Sequence, residues 1–87
     1  MPTRADEQKV IARFGKAMQS KLDVREYKGR MGWRTKEAWE LYDLATDEMK
    51  ELKDALLMEK VDDIKKEAAD VGNRVMMIHD VIGRKKV

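Results

Sequence analysis

Between residues 35 and 59 no glycine or proline interrupts the chain, and apolar side chains recur at helical spacing as Trp39, Tyr42, Ala45, Met49, Leu52 and Leu56. A window of that length filled with good helix formers predicts one amphipathic helix, with Thr35 as its N-cap and its end near Glu59. A second run, Ile64, Ala68, Val71, Val75, Ile78 and Ile82, predicts another helix that stops at Gly83. Only the turn Lys60-Val61-Asp62 separates them, with Asp62 as the expected cap, so the two helices pack antiparallel as a hairpin. Upstream, Thr3 and Asp6 form a capping box ahead of Val10, Ile11, Phe14, Met18 and Leu22, marking a first helix that ends between Val24 and Tyr27. Residues 27–34 hold two glycines and no period and read as a loop, and the tail 84–87 is expected to fray.

The chain is thus all-α, a three-helix protein around a central hairpin, with one domain spanning residues 1–87. A chain this short buries a modest core, so a second copy is expected to complete the bundle. The composition, 43% hydrophobic and 41% charged, suits amphipathic helices. No cysteine is present, which removes disulfides and thiolate metal sites from consideration. Lys and Arg number 19 against 17 Asp and Glu, and they interleave along every helix; a nucleic-acid partner, which needs a clustered basic face, is not expected. No stretch approaches the roughly 18 apolar residues of a membrane span, and the polar N-terminus lacks the apolar core of a signal peptide. A cytoplasmic location is the expectation.

Beside each apolar seam runs a second stripe that acids interrupt: Leu41, Leu44, Glu48, Glu51, Ala55 and Met58 on the second helix, and Ile64, Glu67, Asp70, Arg74, Met77 and Val81 on the third. In an antiparallel hairpin, residues whose numbers share one sum lie at one height. Glu51 with Glu67 and Glu48 with Asp70 share the same sum, so the four carboxylates are expected to converge. Each close pair of such charges costs about 4 kcal/mol at 4 Å and an effective dielectric near 20, so a cation or protons must relieve the repulsion. Hard oxygen ligands suit Mg2+, with Mn2+ as a substitute, and Mg2+ so held takes phosphate oxygens as further ligands. Glu40, Asp43, Asp47, Asp54, Glu59 and Asp63 read as solvated helix-face charges.

With Asp47-Glu48-Met49-Lys50-Glu51 before the turn and Glu67-Ala68-Ala69-Asp70 after it, residues 10–82 resemble the MazG-like all-alpha nucleoside triphosphate pyrophosphohydrolases, whose signature is EExxE followed by ExxD. The flanking words Glu51-Leu52-Lys53-Asp54-Ala55-Leu56 and Val71-Gly72-Asn73 resemble the short, phage-type members, with Asp47 where the first Glu is usual. The resemblance implies Mg2+-dependent hydrolysis of a nucleoside triphosphate to the monophosphate and pyrophosphate. Metal would be held by Glu48, Glu51, Glu67 and Asp70, and Glu48 or Glu51 would accept the proton of the attacking water. It also implies a homodimer or a dimer of dimers. The competing readings are a nucleotide-binding protein that no longer turns over and a structural helical bundle.

Lys28, Arg30 and Arg34 in the loop have the chemistry to bind phosphate, and Trp33 to stack on a base; the opposing reading is a solvated basic loop anchored by Trp33. Asn73, one turn from Asp70, suits a ligand contact or a helix-interface hydrogen bond, and Arg74 shares the stripe of Glu67 and Asp70. His79, the single histidine, reads as structural, and Trp39 and Tyr42 as core or dimer packing.

Overall fold

The computed structural model describes residues 1–24 and 30–85 and contains, among them, three α-helices and no strand. Helix α1 spans Arg4–Val24, α2 spans Ala38–Leu57 and α3 spans Val61–Arg84, with a short 3-10 helix at Gly32–Thr35. The capping box at the start of α1 is formed: Thr3 donates from its backbone to Asp6 Oδ2 at 2.8 Å, and the Asp6 backbone donates to Thr3 Oγ1 at 3.3 Å. The second capping box lies elsewhere than the sequence suggests. Thr35 ends the 3-10 helix and its hydroxyl donates back to the Gly32 carbonyl, so the N-cap of α2 is Glu37, which exchanges bonds with Glu40. The cap of α3 is likewise Lys60 rather than Asp62, which sits in the first turn beside Asp63 and there complements the helix dipole.

The turn between α2 and α3 is the three residues Met58, Glu59 and Lys60, two positions earlier than the sequence suggests. Glu59 adopts the left-handed region at φ 54°, its backbone N–H reaches the Leu56 carbonyl, and the Lys60 N–H reaches the Ala55 carbonyl. Those two bonds make a Schellman ending. The turn pivots on Glu59, which is equidistant in sequence from Glu48 and Asp70 and also from Glu51 and Glu67. Of the two pairs read from the sequence, Glu48 and Asp70 bring carboxylate oxygens together across the hairpin.

The faces differ from the expectation. On α2 the inward seam is Leu41, Ala45, Glu48, Leu52 and Ala55, and on α3 it contains Asp70, Asn73, Met77 and Val81. The stripes without acids, predicted as core, face outward for much of their length: Trp39, Tyr42, Met49, Leu56, Val75 and Ile82 are all more than half exposed. Both stripes are spaced by three and four, so periodicity alone does not choose between them. The choice follows from the turn at Glu59 and from packing at the far end, where Leu41, Met77 and Val81 form a cluster closed by Leu22, Trp33, Ala38, Leu44, Met76 and Ile78.

Helix α1 lies mainly against α3. It comes close because Gly72 has no side chain: a Cβ there would stand 2.6 Å from the Phe14 ring. Asn73 fastens the same crossing, donating from Nδ2 to the Met18 carbonyl at 3.0 Å. No helix among the described residues is long and apolar enough to cross a membrane.

Candidate metal centre

Glu48 enters the hairpin from α2, and Glu67 and Asp70 enter from consecutive turns of α3. One carboxylate oxygen from each lies within 4.8 Å of the others. Asp70 is buried, and Glu48 and Glu67 are half-buried. Among the described residues, Lys21 and Arg74 border the group. Lys21, from α1, places Nζ 3.4 Å from Asp70 Oδ2, and Arg74 places Nε 3.9 Å from Glu48 Oε1. Arg74 also points Nη1 at the Met77 sulfur, 3.8 Å away, which holds the guanidinium along α3.

Two polar atoms at this place are fully buried without a hydrogen-bond partner, Glu67 Oε2 and Asn73 Oδ1. Such an atom costs on the order of 1–3 kcal/mol when nothing satisfies it. A carboxylate oxygen and an amide oxygen are also acceptors only, which is the chemistry of a hard-cation ligand or of a group receiving a hydrogen bond from a metal's water shell. The donor set, three carboxylates, fits Mg2+ or Mn2+.

Glu51 lies outside this group and is exposed. It has the same height as Glu67, but Leu52 takes the inward position at that level, and the roughly 100° step between consecutive helical residues turns Glu51 toward solvent. Of the four aligned acids, the fold gathers Glu48, Glu67 and Asp70. Asn73 makes the helix-interface bond through its amide nitrogen, and its oxygen is buried without a partner.

The loop residues are engaged elsewhere. Trp33 is half-buried against the Leu41 cluster and donates from its indole N–H to Asp80 Oδ2 at 2.8 Å, and Arg34 reaches the same carboxylate at 3.1 Å. The Arg34 guanidinium and then the Trp33 N–H hold the Asp80 carboxyl below its ordinary value. Arg30 pairs with Asp23 at 2.7 Å, and with Gln19 it lowers the Asp23 carboxyl in the same way. Lys28 lies outside the described residues.

Sequence reasoning missed Lys21 and Asp80. Lys21 left a signal: it follows Met18 by three and precedes Leu22, a cation on the edge of the apolar stripe of α1. Asp80 left none, because its partners come from a loop without period. Comparison with family models, curated proteins and solved structures finds no significant match to this chain.

Proposed function

We propose that the chain is a Mg2+-dependent nucleotide pyrophosphohydrolase of the MazG-like kind, cleaving ribo- or deoxyribonucleoside triphosphates to the monophosphate and pyrophosphate. The observation that carries this reading is the convergence of Glu48, Glu67 and Asp70 around a buried, unsatisfied Glu67 Oε2. Solvated surface acids have no reason to bury an oxygen without a partner.

Glu48, Glu67 and Asp70 would hold Mg2+, or Mn2+ in its place, with Glu51 joining them from the solvent side. When bound, the metal supplies neutralisation of phosphate charge and a water acidic enough to attack phosphorus. Glu48 or Glu51 accepts the proton of that water. Arg74, beside Glu48, would bind phosphate oxygens, Asn73 would contact the ligand through its second amide hydrogen or accept from it through Oδ1, and Arg30, Lys28 and Trp33 would act on the more distant parts of the nucleotide.

The protein works as a homodimer or a dimer of dimers in this reading. Support comes from the outward seam: Trp39 is 76% exposed and meets Tyr42 edge-on at 5.5 Å, with Met49 and Leu56 further along the same stripe. An apolar row at heptad-like spacing on a chain of this size is suited to the same row of a second copy.

One observation favours a structural bundle instead: Lys21 and Arg74 already neutralise part of the acidic charge. The deciding experiment measures pyrophosphate release from a panel of ribo- and deoxyribonucleoside triphosphates with Mg2+, and with EDTA as control. Metal-dependent release of pyrophosphate and monophosphate is the expected result. No turnover of any of them, with no thermal stabilisation by millimolar Mg2+, would leave the structural bundle as the better account.

A further inference from the structure

Among the described residues, Lys21 and Arg74 meet the three grouped acids, and these two cations differ in origin. Arg74 belongs to α3 and is tied between Glu48 and the Met77 sulfur. Lys21 belongs to α1, which supplies none of the grouped carboxylates. We propose that Lys21 is both a resident counter-cation of this site and a phosphate-binding residue: its ammonium holds Asp70 in the metal-free protein and turns to a phosphate oxygen once a divalent cation occupies the carboxylates. The inference rests on the metal-dependent reading above and adds to it a residue that the acidic motif does not contain.

Burial is the first reason. The Asp70 side chain is 6% exposed, and a charge so enclosed is destabilising unless a partner compensates it. The Lys21 head group, 3.4 Å away, supplies compensation from a separate element. Anchoring is the second. The Met18 carbonyl is bonded to Asn73 and the Phe14 ring lies against Gly72, so the backbone that carries Lys21 is pinned to α3 one turn from Asp70. The flexible stem can swing the head group while its root stays in place. Lys21 is also 28% exposed, so its ammonium reaches the solvent side from which an anion arrives.

Charge balance is the third reason. A divalent ion bound by Glu48, Glu67 and Asp70 would add two positive charges beside Lys21 and Arg74. Lys21 is then displaced by like charge from Asp70 and becomes a donor for the incoming polyphosphate. Metal and phosphate therefore bind in order, and Lys21 opposes the first while favouring the second.

The test uses the full chain and two titrations followed by calorimetry, Mn2+ alone and inorganic pyrophosphate in the presence of Mg2+, with circular dichroism to establish helicity. Lys21→Met keeps the aliphatic stem and removes the charge. It is expected to bind Mn2+ about five-fold more tightly and pyrophosphate about five-fold more weakly than the wild type, the scale of one partly exposed ion pair. Lys21→Arg should match the wild type in both, and Lys9→Met, an exposed charge lost from the same helix, should change neither. If Lys21→Met loses helicity, Lys21→Gln takes its place. Unchanged Mn2+ affinity in the charge-removing variant overturns the counter-cation role, and unchanged pyrophosphate affinity overturns the phosphate role. A wild-type protein that binds Mn2+ while Lys21→Met behaves identically leaves the metal reading standing without Lys21. A wild-type protein that binds no Mn2+ removes both.

Discussion

Glu48 and Asp70 face each other across the α2–α3 hairpin at equal sequence distance from Glu59, and with Glu67 they bring carboxylate oxygens within 4.8 Å of one another. Like charges at that range oppose folding, and they persist in a small domain that has little stability to spare. A site of this kind trades stability for ligand binding, and the trade is measurable.

Glu67→Gln removes one charge and is expected to raise the melting temperature of the metal-free protein. A gain of about 1 kcal/mol corresponds to roughly 4–8 °C for a domain of this size. The same variant should show no further stabilisation by Mg2+ and no pyrophosphate release. Melting curves with and without Mg2+ check this; a Glu67→Gln protein that Mg2+ still stabilises would remove Glu67 from the ligand set.

Asp70→Asn and Glu51→Gln are both expected to abolish turnover with helicity intact, for different reasons. Asp70 sits in the carboxylate group, so its variant should lose the Mg2+-dependent shift in melting temperature. Glu51 stands outside that group and would reach the metal only from the solvent side, so its variant should keep most of the shift while losing pyrophosphate release. Asp47→Asn, on the exposed side of α2, should keep both. Full activity in either of the first two variants would overturn the assignment.

The Trp33–Asp80–Arg34 contact fastens the 3-10 segment to α3. Because the Asp80 carboxyl is held below its ordinary value, the contact contributes stability above the unfolded carboxylate value near 3.9 and loses it as pH falls through the lowered value. In a Trp39→Phe background, Trp33 emission should stay constant from neutral pH to about pH 4 and shift to the red below it. Asp80→Ala should show the red-shifted emission already at neutral pH. An acid-insensitive spectrum in the parent would rule out this anchor.

Glu59 occupies the left-handed backbone region with a full side chain, at the position where a Schellman ending favours glycine. Glu59→Gly relieves that strain and is expected to stabilise the protein by about 0.5–1 kcal/mol, less than the roughly 1–2 kcal/mol cost of the conformation because glycine loses more chain entropy on folding. Chemical denaturation measures the change. A destabilised variant would mean that the turn depends on the Glu59 side chain.

Trp39→Glu places a charge at the N-terminal end of the outward seam of α2, on its most exposed aromatic residue. Sedimentation at tens of micromolar should show a dimer or tetramer for the wild type and a monomer for the variant. A monomeric wild type would end the dimer reading and leave the exposed Trp39 and Tyr42 without a partner copy.

Sequence by itself determined the helices, the hairpin and the height of each acid along it, because helical period and a short connection suffice for those quantities. It did so without placing the helix starts correctly at Glu37 and Lys60, where a local competition between hydroxyl, carboxylate and backbone bonds decides the cap. The tertiary structure decided which residues of the two neighbouring stripes face inward. Packing around Leu41, Met77 and Val81 turns inward a line on α2 that alternates between the stripes, Leu41, Ala45, Glu48, Leu52 and Ala55, which brings Glu48 to Glu67 and Asp70 and leaves Glu51 outside. Lys21 too became part of the site only through packing, since a helix distant in sequence reaches Asp70 by way of Gly72 and Asn73. Spacing along one helix sets relative angles within that helix, whereas the angle it presents to its neighbours is set by the contacts that close the whole molecule.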